Sequence, residues 1–222
     1  DYQWQALYMQ RPRSPGTGII PLSAWRRWTN PQFPPCQYII MSLDTAFSQE
    51  ERASYSAITT WGVFLPEDPE PNSPRKTQAI LIDAVRGHWT YPELKDITQE
   101  LYNWFRPDVM VIEKKASGQS LIQDLQISGY PIYPYQPQKD KSVRVHAIAP
   151  FFAEGRVWAP LKSWAKDVMR EVESFPHGTH TDYTDTVSQA ILMIRDGGYL
   201  QYTVERDDDA PGRAVRNRKE YY

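Results

Sequence analysis

Apolar positions along this chain cluster in short runs, and the spacing inside each run predicts its structure. Tyr38 to Leu43 is almost continuously apolar, as in a strand buried on both faces, and it ends in Asp44. Ser56 to Leu65 and Thr77 to His88 are rich in β-branched and aromatic residues and read as two strands. Pro66, Pro69, Pro71 and Pro74 crowd the connection between them and exclude a continued ladder. Tyr91 to Phe105 reads as a helix, with Pro92 in its first turn and Pro107 closing it. Val109 to Ile112 is a second short buried strand, ending in Glu113, and Tyr130 to Tyr135 is a third. Helices are expected over 120–127, stopped by Gly129, over 140–154, stopped by Gly155, and over 163–174. The last helix is the clearest, because Val187, Ala190, Ile191 and Ile194 fall at i, i+3, i+4 and i+7.

Strands followed by βαβ units predict an α/β fold, a sheet with helices on both faces. Eight prolines and glycines punctuate residues 1–35, which read as an extended connector with a short helix around Ser23 to Trp28. Residues 36–200 form the expected domain. The tail 201–222, with five acids and five bases from Glu205 onward, reads as a flexible or partner-binding end. The chain opens at Asp1 rather than Met, as a fragment of a longer polypeptide would.

Composition narrows the function. The 222 residues carry 25 Lys and Arg against 27 Asp and Glu, a formal charge of −2, which excludes a uniformly basic protein that coats polyanions. A single cysteine, Cys36, excludes an internal disulfide framework and argues for a reducing compartment. No apolar run reaches the ~18 residues needed to span a bilayer.

No glycine is followed by lysine, so the Gly-Lys-Ser/Thr loop that cradles phosphates is absent, and no ATPase activity is expected from this chain alone. The Gly-x-Ser-x-Gly elbow of hydrolases is absent too, and no cysteine pair exists for a structural zinc. What remains is a set of acids. Asp44 and Glu113 each end a buried strand, and Asp182 and Asp185 open the last helix. Strand ends on one sheet edge are where α/β folds place ligands. Neighbouring carboxylates repel, and divalent cations relieve that repulsion. Three carboxylates, two Mg²⁺ or Mn²⁺ ions and one phosphate sum to about zero charge, which fits two-metal phosphodiester hydrolysis. Hard oxygen ligands favour Mg²⁺ or Mn²⁺ over zinc.

The run Ile40 to Ala46, the strand Val109 to Glu113 followed by Lys114-Lys115-Ala-Ser-Gly-Gln, the segment Tyr135 to Val145 and His180-Thr-Asp-Tyr-Thr-Asp185 resemble the C-terminal nuclease domain of the tailed-phage terminase large subunit. That resemblance implies an RNase H-like mixed β-sheet flanked by helices on both faces. It also implies a metal-dependent endonuclease that cuts concatemeric viral double-stranded DNA during genome packaging. By motif, Asp44 matches the first metal ligand and Glu113 the second. The family shows His-Asp-Asp before the last helix, and here Thr181 replaces the first Asp. Asp182 is then the closest match to the third ligand, with Asp185 as the fallback.

On this reading Asp44 bridges two cations, Glu113 and Asp182 hold one each, and Asp185 or His180 orients the attacking water. Lys114, Lys115, Lys139, Lys141 and Arg144 would hold the DNA backbone, a local excess of three positive charges over residues 114–146. The implied partners are double-stranded DNA, an N-terminal ATPase domain of the same polypeptide, the portal protein and the small terminase subunit, with no membrane. The implied place is the host bacterial cytoplasm, transiently at the procapsid portal. Two rivals share features of the sequence: an RNase H-like junction resolvase or strand transferase, and a non-catalytic module that docks DNA or the portal.

Overall fold

The structure is a computed structural model and describes residues 18–46, 55–66, 76–197 and 213–215. Among these residues seven strands form one sheet: β1 (Arg26–Trp28), β2 (Tyr38–Asp44), β3 (Ser56–Phe64), β4 (Gln78–Gly87), β5 (Val109–Glu113), β6 (Ile132–Tyr135) and β7 (Val157–Pro160). Their spatial order is β1-β7-β4-β3-β2-β5-β6. Only β3 runs antiparallel to its neighbours. The C-terminal ends of β2, β4 and β5 therefore lie at one edge of the sheet.

Five helices cover the faces: α1 (Tyr91–Phe105), α2 (Ala116–Ile127), α3 (Lys141–Ala153), α4 (Ser163–Ser174) and α5 (Asp182–Arg195). Local chemistry sets several of their ends. Thr90 and Glu93 form a capping box at the start of α1, and Arg106 turns left-handed (φ 49°) just before Pro107 ends it. Gly129 and Gly155 take positive φ after α2 and α3, a conformation that suits glycine.

Alternation along the strands divides the apolar residues into two cores. Tyr38 and Ile40 of β2, with Val109 and Val111 of β5, pack beneath α3, α4 and α5. Ile39, Met41 and Leu43, with Met110 and Ile112, pack beneath α1 and α2. Helix α5 lies across the first of these faces and is buried nearly all round. The mixed sheet with helices on both faces is the expected architecture.

The details depart from expectation in four places. The helix expected around Ser23 to Trp28 is instead a 3-10 turn, Leu22–Ala24, followed by β1, and Ile20 and Trp25 are buried in the core. From residue 18 on, the connector is thus part of the folded body. Strand β7, unforeseen, is only four residues long and ends in proline, yet it joins β1 to β4. Helix α2 begins at Ala116 rather than Ser120. In the tail, Arg213 pairs with Cys36 through both backbone groups and its guanidinium meets the Asp108 carboxylate. Residues 1–17, the proline-rich connection from 67 to 75 and most of the tail lie outside the described residues. Among the described residues no helix is long and apolar enough to cross a membrane.

Candidate functional site

Register and strand parity bring the first two acids together. Leu43 stands opposite Ile112 in the parallel β2–β5 pair, so one further step sets Asp44 beside Glu113. Asp44 is in phase with Tyr38, Ile40 and Ser42, and Glu113 with Val109 and Val111, so both carboxylates point to the α5 face. The same face receives Asp185, from the first turn of α5. Asp44, Glu113 and Asp185 are 6%, 6% and 3% exposed.

Each buried acid has a cation against it. The Lys115 ammonium lies 2.7 Å from Asp44 Oδ1 and 3.5 Å from Glu113 Oε2. Arg144 Nη2 lies 2.8 Å from Asp185 Oδ1, and Lys141 Nζ lies 2.5 Å from Asp185 Oδ2. Burial pushes the Asp44 carboxyl up to about 7; Lys115 pulls it down, and the charges on Asp185 and Glu113 push it up again. Burial alone would lower the Lys115 ammonium, but Asp44, Glu113 and Asp185 more than reverse this and leave it above its ordinary value.

Asp182 has different surroundings. Thr181 is the N-cap of α5 and Asp182 its first residue, and the side chains that act on it electrostatically include His180, Arg86, Lys141 and Glu171. Burial holds its carboxyl above the usual range, partly offset by hydrogen bonding to its own backbone and by those cations. His180 is exposed and packs edge-on against the Tyr55 ring, 5.3 Å between centroids. Arg86, from the end of β4, is committed to Glu171 at 2.6 Å and sits over the rings of Tyr55 and Tyr183. Asp185 is among the charges that act most strongly on Asp44.

The basic residues divide the same way. Lys114 and Lys139 are exposed and face solvent. Arg144, expected to hold the DNA backbone, has a side chain only 8% exposed and bonds Asp185. Its Nε and Nη1 have no hydrogen-bond partner among the described residues.

Two residues of the site escaped the sequence reading. Gln189 donates from Nε2 to Glu113 Oε2 at 3.1 Å, while its Oε1 accepts from Ser42 Oγ at 3.2 Å. A signal for both was present: Ser42 interrupts an apolar strand, and Gln189 lies four residues after Asp185, on the same face of the helix. Gly118 has a steric role. A methyl group there would overlap the Glu113 carbonyl oxygen, so only glycine lets α2 start this close to the end of β5.

Residues 41–194 match the family model described as the terminase RNaseH-like domain. No curated protein matches the sequence. Among solved structures, the magnesium-bound large terminase nuclease of thermophilic phage G20c superposes with a TM-score of 0.56 at 11% identity, covering 79% of this chain and 97% of that one. The nuclease domain of the large terminase subunit gp2 of bacterial virus Sf6 gives 0.55 at 8% identity, covering 78% and 98%. The terminase nuclease domain of human cytomegalovirus gives 0.51 at 13% identity, covering 77% and 89%. At such identities the superpositions establish an RNase H-like fold, and the family match covers the strands and the helix that carry the acids. The chain belongs to the terminase RNase H-like domain family.

Proposed function

We propose that this domain is a divalent-metal-dependent endonuclease that hydrolyses phosphodiester bonds in double-stranded DNA, cutting concatemeric viral genomes during packaging. The observation that carries the reading is the convergence of Asp44, Glu113 and Asp185 from β2, β5 and α5 at one sheet edge. Solved terminase nucleases with this fold hold magnesium, zinc or cobalt, which supports a divalent cation here.

The residues present fit such an ion. All three donors are hard carboxylate oxygens. The space between Asp44 and Glu113 already accepts a positive group, the Lys115 ammonium. Among the described residues no three acids or histidines stand as a preformed metal site. Asp44, Glu113 and Asp185 would hold two Mg²⁺ or Mn²⁺ ions, with Asp185 in the role that motif matching gave to Asp182. Divalent ions bound there supply charge to the scissile phosphate and acidity to the attacking water.

The remaining roles belong to the chain itself. Gln189 fixes the Glu113 carboxylate and Arg144 fixes Asp185. Lys114 and Lys139 hold the DNA backbone, contacts that carry no base information, so cutting is largely independent of sequence. His180, at the rim, is left an outer role. An N-terminal ATPase domain, the portal protein and the small terminase subunit are the proposed partners, in the host cytoplasm and transiently at the procapsid portal.

Plasmid nicking in Mn²⁺ tests the reading. Wild type is expected to nick and linearise, while Asp44→Asn and Glu113→Gln are expected to lose nearly all activity. Full activity in Asp44→Asn would overturn it. Preference for four-way junctions over plasmid would point instead to a resolvase.

A further inference from the structure

We infer that Lys115 is a built-in counter-cation that closes the acid site, and that DNA opens the site to metal by drawing Lys115 away. The inference rests on the metal-dependent reading above.

The geometry is specific. One ammonium lies 2.7 Å from Asp44 Oδ1 and 3.5 Å from Glu113 Oε2, so it occupies the space that the two carboxylates share. A divalent ion and an ammonium cannot both fill that space, because each has to lie within contact of the same oxygens and they repel one another. Lys115 immediately precedes α2 and its side chain is 37% exposed, so its head swings to solvent by bond rotation with the backbone unmoved. Arg144 offers a contrast: its side chain is 8% exposed and its guanidinium stays on Asp185.

Charge balance says why DNA matters. Three acids face three cations, Lys115, Lys141 and Arg144, so the site is self-neutralised as it stands. Two divalent ions added to that set leave four uncompensated positive charges. A DNA phosphate arriving at the sheet edge changes the balance twice: it brings negative charge, and it offers Lys115 another anion. Lys141, 31% exposed and also bonded to Thr181 Oγ1 at 2.7 Å, is the second cation able to turn outward. Metal and DNA binding are then positively coupled, and the coupling is reciprocal. A lysine that merely neutralises the acids for folding predicts a coupling of the same size with or without it.

Mn²⁺ titration of the intact chain, read by electron paramagnetic resonance of the free ion, tests this without any cleavage assay. Lys115→Met is expected to bind Mn²⁺ about tenfold more tightly than wild type. Adding a short duplex is expected to tighten Mn²⁺ binding by wild type several-fold and to tighten it clearly less in Lys115→Met, which keeps only the part due to the phosphate charge and Lys141. Asp44→Asn is the control for site occupancy. If Asp44→Asn abolishes binding but Lys115→Met binds no tighter than wild type, the counter-cation role is overturned while the metal site stands. If no Asp44-dependent binding exists in any variant, the metal-dependent reading falls and takes this inference with it. Should Lys115→Met fail to fold, judged by its thermal melt, the duplex arm on wild type decides: Mn²⁺ affinity unchanged by DNA overturns the coupling.

Discussion

Gln189 reaches Glu113 across 76 positions of sequence, its Nε2 donating to Oε2 at 3.1 Å, and the far end of the same amide accepts from Ser42. All three side chains are buried, so a missing partner is not replaced by bulk water. Gln189→Leu removes Glu113's donor and Ser42's acceptor together. It is expected to cost ~1–3 kcal/mol of stability, measured by urea unfolding. Nicking is expected to fall about 10- to 100-fold, as for other residues that orient metal ligands. An unchanged nicking rate would show that Glu113 needs no such support.

Asp185 and Asp182 are distinguishable by substitution. Asp185→Asn is expected to abolish nicking in Mn²⁺, since Asp185 is buried and its charge acts on Asp44, whereas Asp182→Asn is expected to keep most of it. The reverse pattern in the plasmid assay would return the third ligand to Asp182.

Arg144 and Lys139 carry the same formal charge and differ in burial, so their loss should read out in different assays. Arg144→Met strips one of two cationic partners from Asp185, Lys141 remaining, and is expected to cost ~1–3 kcal/mol in an unfolding titration. Lys139→Ala is expected to change stability by less than about 0.5 kcal/mol. It should instead weaken duplex binding and lower the slope of log K against log salt by ~1.

Cys36 is fully buried, and burial pushes its thiol up to about 12, with Arg213 pulling the other way. Native protein is therefore expected to be inert to a disulfide reagent at about pH 8 and to react fully once unfolded. The sign of the pH effect follows. Above the ordinary thiol value of 9.0 the unfolded chain loses this proton while the folded chain keeps it, so stability falls as pH rises from there toward 12. Urea midpoints above and below that value measure the slope, which Cys36→Ala should reduce.

Gly118→Ala places a methyl group against the Glu113 carbonyl, a backbone atom that cannot turn aside. It is expected to cost ~1–3 kcal/mol, read as a lower melting temperature, and to reduce nicking by shifting the end of β5 that carries Glu113. Wild-type activity and melting temperature in this variant would show that the turn tolerates a side chain.

Much of the frame was legible in local pattern. The run from Tyr38 and the run from Val109 each specified a buried strand ending in an acid, because a strand covered on both faces has to be apolar until it leaves the sheet. Helices α1 and α4 have the bounds that their spacing and prolines indicate. Strands β1 and β7 were not legible. Three or four residues carry too little periodicity, and both are strands only because β4 offers β7 an edge and β7 then offers one to β1.

The candidate site divides along the same line. The sequence by itself determined which acids end strands and which open the last helix, since composition and parity are local properties. Only the tertiary structure decided that the charge of Asp185 acts on Asp44, because that depends on how α5 docks across β2 and β3. It also decided the fate of the basic residues. Lys114 and Lys115 are adjacent in the chain, yet one faces solvent and the other lies between two carboxylates, because burial and pairing are fixed by the surrounding elements rather than by residue type.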